Sequence, residues 1–180
     1  MSISIFKPAC IFLVIAMNST GAIVPSMSGD RVLQIAHAAY TAGDQNARTA
    51  YVALDITKSS IVKTYAQRMV DDHTAVNEKA NAILSKLNMV LENSKRSKEL
   101  VSYAKSIRAD LRKVSPAKFD CAYAISEMKY HGVMNKTIAK YVLPNLNIKQ
   151  LNELFSDALV KFKVHWGHAE LMVKKLDCKK

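Results

Sequence analysis

The stretch "IKQLNELFSDALVKFKVHWGHAELMVKKL", from Ile148 to Leu176, decides how this chain folds. Counting from Ile148 in alternating steps of three and four gives Leu151, Phe155, Ala158, Phe162, His165, Ala169, Met172 and Leu176. Apolar residues at such steps line one face of a helix, and a line this long needs a facing surface to bury it. One member is polar. His165 stands on the line, whereas Trp166 and His168 fall on its flank.

The same count finds three further stripes. The first helix is expected from about Asp30 to Ile56, with Leu33, Ala36, Tyr40, Gly43, Ala47, Ala50 and Leu54 in line. The second follows "KSS" (Lys58–Ser60), where a serine can cap the free amides. Its line is Val62, Ala66, Met69, His73, Val76, Ala80, Ile83 and Leu87. "SPAKFD" (Ser115–Asp120) opens the third, with Ser115 as cap and Pro116 at the first helical position. That helix aligns Asp120, Ala124, Glu127, His131, Met134, Ile138 and Tyr141, and "LPNLN" (Leu143–Asn147) is expected to end it. Between the second and third, Val101, Ala104, Leu111 and Val114 form an apolar side opposite Lys98, Lys105, Arg108 and Arg112. This segment reads as a crossover helix on an all-α four-helix bundle.

A length of 180 residues suits one domain, and 49% hydrophobic residues with only 5 Gly and 4 Pro exclude a disordered chain. Lys7, the apolar run "ACIFLVIAM" (Ala9–Met17) and the small residues Thr20 and Ala22 read as a secretory signal over 1–22, cleaved near Ala22. The run is too short to span a bilayer. The bundle domain is then 23–180, exported to the periplasm or beyond. Cleavage removes Lys7 and lowers the net charge from +11 to +10. Such a charge draws a protein to anionic envelope surfaces. Nucleic acid is not the expected partner, because the basic residues are spread without interleaved aromatics. Cys121 and Cys178 remain after cleavage, either bridged, as an oxidising compartment invites, or free.

His73, His131 and His165 each occupy the seam near the middle of a helix, and Glu127 stands one turn before His131. Bundle interiors are where histidine and carboxylate metal sites are built. The set His73, Glu127, His131 and His165 would suit zinc, iron or copper, with Asp72, Asp120 and Tyr123 as supporting groups. The alternative is a hydrogen-bonded core without metal, in which Tyr40, Tyr65, Asp120, Tyr123 and Glu127 partner neutral imidazoles. If the third helix stops at Val142, a rise of about 1.5 Å per residue places His131 roughly 9 Å off the height of His165. A ferritin-type diiron centre is disfavoured, because Val70 and Met128, not glutamates, stand three residues before His73 and His131. The chain has no Gly-rich phosphate loop, no Cys-x-x-Cys and no recognisable nucleophile setting, so catalysis is not the leading expectation.

Three segments, "YAQRMVDDHTAVN", "FDCAYAISEMKYH" and "HWGHAELMVKKL", together resemble the bacterial domain-of-unknown-function family 4142. Its Met-Val-x-Asp-His pattern falls on Met69, Val70, Asp72 and His73. Its Phe-Asp-x-x-Tyr pattern with a later His falls on Phe119, Asp120, Tyr123 and His131, and its His-x-x-x-Ala pattern on His165 and Ala169. The resemblance covers roughly Asp30 to Leu176. It implies a ferritin-like up-down four-helix bundle, here with an extra crossover helix between helices 2 and 3, and an envelope location. It implies no activity. Three functions stay open: a non-catalytic exported binding protein with a histidine core, a metal-dependent redox or metal-handling protein, and a structural envelope module.

Overall fold

A computed structural model describes residues 29–178, so the signal expected over 1–22 lies outside the described residues. The described chain is all-α, with five helices: α1 (Gly29–Ile56), α2 (Ser60–Lys86), α3 (Lys95–Lys113), α4 (Pro116–Thr137) and α5 (Lys149–Lys175). No strand occurs among the described residues. α1 lies against both α2 and α3, α4 against α5, and α2 against α5.

Local chemistry sets most helix ends. The Val62 amide donates to Ser59 Oγ at 3.5 Å to start α2. Ser94 and Ser97 cap α3 reciprocally, each backbone amide donating to the other's hydroxyl at 3.0 and 3.1 Å. Ser115 makes no side-chain cap, contrary to the expectation; Pro116, lacking an N–H, leaves one orphan donor fewer to satisfy. Asn88 and Asp177, at φ 53° and 50°, are the described non-glycine residues in the left-handed region. Each ends a helix in a Schellman turn: Met89 N–H donates to Leu84 C=O at 2.9 Å, and Cys178 N–H to Val173 C=O at 3.1 Å. The second turn delivers Cys178 to the start of α4, where it is bonded to Cys121 with Cα atoms 5.4 Å apart.

Two departures from the seam count have structural causes. α1 is buried on more than one side, Val32, Ile35, Ala39, Val52 and Ala53 being covered as well as Ala36, Ala47 and Ala50. At Val52 and Ala53 the cause is α3, which packs on the outer side of α1 and brings Leu111 into the same cluster; Arg108 reaches across to give Gln45 Oε1 a 2.9 Å hydrogen bond rather than joining the exposed basic face. The third stripe shifts by one residue near its end, so that Val142 is buried and Tyr141 is exposed. A π-helical turn at Ile138–Val142 inserts that residue. Pro144 explains it: a proline ring would strike the carbonyl four residues back in an α-helix. In the π turn the Leu143 amide reaches Ile138 C=O instead. The helical path therefore continues through a further turn, Leu143–Asn145, and "LPNLN" does not break it at Val142. His131 now stands fourteen residues before Asn145, and His165 sixteen after Lys149. The expected offset of roughly 9 Å shrinks to about 3 Å at 1.5 Å per residue.

The apolar core falls into two clusters. One gathers Val32, Ala36, Val76, Leu84, Ile138, Phe155 and Phe162. The other gathers Ala50, Val62, Met69, Phe119, Tyr123, Ala169 and Met172. Along α2, α4 and α5 the change from one cluster to the other comes at His73, His131 and His165. A polar layer thus crosses the middle of the bundle.

Candidate metal centre

α2, α4 and α5 each place one imidazole in that layer. Facing donor atoms of His73, His131 and His165 all lie within 4.8 Å of one another. The residues are 2%, 1% and 1% exposed, which removes bulk water as a partner for their nitrogens. Phe162 closes one side, its ring stacked on His73 with centroids 4.6 Å apart. Gly43 of α1 closes another: a Cβ there would lie 3.4 Å from His73 Nδ1, in ordinary contact, and 3.2 Å from Asn77 Oδ1, a tighter approach.

Outer partners determine which nitrogen of two rings carries the proton. His131 Nδ1 faces the Glu127 backbone carbonyl at 3.1 Å. A carbonyl only accepts, so Nδ1 donates and Nε2 keeps its lone pair. His165 Nε2 lies 2.9 Å from Asp72 Oδ2. Burial raises the Asp72 pKa, but the bonds from His165 and Lys161 outweigh it and hold the group below its usual value as a carboxylate. His165 Nε2 therefore donates, and Nδ1 keeps the lone pair. Those two free nitrogens and both nitrogens of His73 lack hydrogen-bond partners among the described residues.

The electrostatics follow from burial. Desolvation, reinforced by the other imidazoles, holds His73 well below the usual histidine range. His131 is held down to about 3 by desolvation and by His165. His165 is lowered by desolvation, against the opposing pull of Asp72. All three rings are neutral near pH 7, the form that binds metals.

Glu127 stands beside this set rather than in it. Asn46 Nδ2 donates to both carboxylate oxygens at 3.2 and 3.0 Å, and the Tyr65 hydroxyl donates to Oε2 at 3.5 Å. The carboxylate approaches the outward nitrogen, His131 Nδ1, at 3.6 Å, not the inward lone pair. Its pKa is raised to about 7 by desolvation, with Asn46 and Tyr65 pulling the other way. What remains to meet an ion is a set of three neutral nitrogens.

Residues 19–172 match the family described as Domain of unknown function (DUF4142). The chain belongs to that family. No curated protein and no solved structure matches it.

The other expected site residues of this DUF4142 chain lie as follows. Asp72 contacts His165 directly. Asp120 accepts from the Thr57 hydroxyl, away from the three rings. Tyr123 is fully buried, stacked near Phe119 and edge-on to Tyr65, and its hydroxyl has no hydrogen-bond partner among the described residues. Cys121 and Cys178 are joined to each other at the end of the bundle that Phe119 occupies. His168 is held by Arg68 at 2.9 Å, outside the triad. Asn46 was not anticipated, nor was Gly43, counted on the first helix's line, expected beside the rings. Both lie on α1, and Asn46 is one residue off the counted line beside Ala47. A buried carboxylate on α4 demanded a donor from a facing helix, and that was the available signal.

Proposed function

We propose that this chain is an exported, non-catalytic helical-bundle protein in which His73, His131 and His165 hold one transition-metal ion. Zinc, iron and copper fit the donor set. The observation that carries the reading is the pair of buried, unpartnered nitrogens His131 Nε2 and His165 Nδ1. The far sides of their rings are anchored by the Glu127 carbonyl and the Asp72 carboxylate. Anchoring one ring nitrogen to an outer acceptor so that the other presents a lone pair is how metal-binding histidines are oriented. A core held by histidine hydrogen bonds alone would pair these atoms, since each unpaired buried polar atom costs about 1–3 kcal/mol.

Nitrogens held within 4.8 Å close to the roughly 3.4 Å spacing of a tetrahedral ion with 2.0–2.1 Å bonds through ring movements on the order of 1 Å. Three nitrogens leave one coordination position open. The near-complete burial of the rings gives a substrate no access to that position, which favours holding an ion over turnover.

Ferritin-like kinship and the crossover role of α3 belong to the same proposal. Four long helices with one long connection, which contains α3, support both. Export rests on Lys7, the short apolar run after it and the Cys121–Cys178 pair, which suits an oxidising compartment. A basic balance fits residence beside anionic envelope surfaces.

Elemental analysis of untagged protein from the periplasm tests the reading. One ion per chain, lost in a His73→Ala/His131→Ala double variant, is expected. Metal-free protein that gains no thermal stability on titration with zinc, copper or iron refutes it.

A further inference from the structure

The three imidazoles are sealed from solvent, so an ion must pass some group that is not. Among the groups touching the rings, Glu127, Tyr65 and Phe162 are buried at 1%, 5% and 6% exposure, and the partly buried Tyr130, edge-on to His131, spends its hydroxyl on the Ala42 carbonyl. Asp72 differs. Its side chain is 26% exposed, and it touches His165 with one oxygen and Lys161 Nζ with the other, at 2.9 and 3.3 Å. Lys161 is itself 57% exposed and approaches from α5, across the seam between α2 and α5. The carboxylate thus has one oxygen on the outward nitrogen of His165 and one at the surface, beneath an exposed ammonium.

We propose that Asp72 and Lys161 form the port through which a transition-metal cation reaches the three histidines, Asp72 taking the ion first and Lys161 opposing its approach. The inference rests on the metal-binding reading above and adds the route and its control. A hydrated cation resists losing its waters. A carboxylate at the rim replaces some of them with oxygen ligands while the ion is still in contact with solvent. The Lys161 ammonium competes for the same oxygen. A doubly charged ion passing within about 6 Å of it in water has its local concentration cut roughly tenfold. The arrangement slows loading without changing the ligands that hold the ion afterwards.

Stopped-flow association of zinc with metal-free full-length protein, in low salt and with a chromogenic chelator as competitor, reads the rate. Equilibrium titration of the same samples reads stoichiometry. Lys161→Gln is expected to load about tenfold faster, an effect that fades in 1 M salt. Asp72→Asn is expected to load at least tenfold more slowly. Its amide oxygen can still accept from His165 Nε2, so the ring orientation is kept while the charge is lost. Lys163→Gln makes the same charge change on an exposed residue two positions along, on a different side of α5, and is expected to leave the rate within about twofold. Lys161→Gln and Lys163→Gln are expected to bind one ion and to keep the wild-type helical signal and melting behaviour within a few degrees; Asp72→Asn is expected to keep the helical signal but to hold its ion more weakly, because the carboxylate also orients His165.

One ion bound at unchanged rate in both Lys161→Gln and Asp72→Asn overturns the port while leaving the metal-binding reading intact. Equal acceleration in Lys161→Gln and Lys163→Gln also overturns it, because net charge would then explain the effect. Wild-type protein that binds no zinc, copper or iron overturns both.

Discussion

Replacing Glu127 by glutamine tests whether the polar layer is as dry as its burial implies. Glu127 carries a pKa of about 7 in the folded protein against 4.5 as an ordinary carboxyl group, through desolvation. Between those values the folded chain holds a proton that the unfolded chain has released. Stability therefore falls as pH rises through this window and levels off above the folded pKa. At 1.36 kcal/mol per unit the whole penalty is on the order of 3 kcal/mol, most of which develops between pH 5 and pH 8. His73, His131 and His165 act in the opposite sense. Their pKa values are lowered, so unfolding takes up protons below the ordinary value of 6.5 and stability falls as the solution is acidified. Those contributions are common to wild type and Glu127→Gln, and they cancel in the difference between the two proteins. Urea unfolding of metal-free protein, with a chelator present, is then expected to show the stability difference moving by roughly 2–3 kcal/mol in the variant's favour from pH 5 to pH 8. A difference that stays constant to within about 0.5 kcal/mol, near the precision of such extrapolations, means that Glu127 is solvated and the dry-layer argument fails.

Other outcomes follow from separate features. Asn46→Ala removes the donor to both Glu127 oxygens, so the apparent pKa of Glu127 rises further, read as an upward shift of the same pH window. Cys121→Ser/Cys178→Ser opens a link spanning 57 residues and is expected to cost about 4 kcal/mol in urea unfolding by the loop-entropy relation; a loss below about 1 kcal/mol counts against the link as a structural restraint. Gly167 lies in α5 with nothing within 4 Å of an added Cβ, so Gly167→Ala should stabilise by about 1 kcal/mol. Gly43→Ala should forfeit at least part of that gain, because the added Cβ meets Asn77 Oδ1 at 3.2 Å and Asn77 is tied to the Tyr40 carbonyl at 3.1 Å. Zinc at a hundred times its dissociation constant should stabilise wild type by about 2.7 kcal/mol, measured as a rise in melting temperature, and should not stabilise the His73→Ala/His131→Ala variant.

The inward positions of His73, His131 and His165 were legible because a seam is a one-dimensional pattern. Steps of three and four pick out one face of a helix whatever the residue there, and the alanines and large apolar residues around each histidine kept the count in phase. What the count does not contain is a second neighbour. Val52 and Ala53 of α1 look surplus to one stripe, yet both are buried, because α3 supplies another surface against which α1 packs. Glu127 shows the same gap at the site. Its shared face with His131 follows from their spacing, but Asn46 engages its carboxylate from another helix, and no periodicity within α4 reports that. The Pro144 segment misled for a local reason. Proline is a fair sign that an α-helix ends, but a π turn lets the chain accept the ring and remain helical, and only the three-dimensional path reveals the inserted residue.

That inserted residue has a consequence well away from where it lies. The turn at Ile138–Val142 is seven to eleven residues beyond His131, on the order of 10–16 Å along the helix. α4 and α5 are tied at the other end by Cys121 and Cys178. Between these two fixed ends the lengths of α4 and α5 must match, and the π turn is the slack that makes them match. It works as a vernier: one residue more or fewer would put α4 and α5 about 1.5 Å out of step at that end while the disulfide held the other, a mismatch shared by the stretches that carry His131 and His165. The alignment of His131 with His165 thus depends on both ends of the bundle, the far one touching no residue of the polar layer.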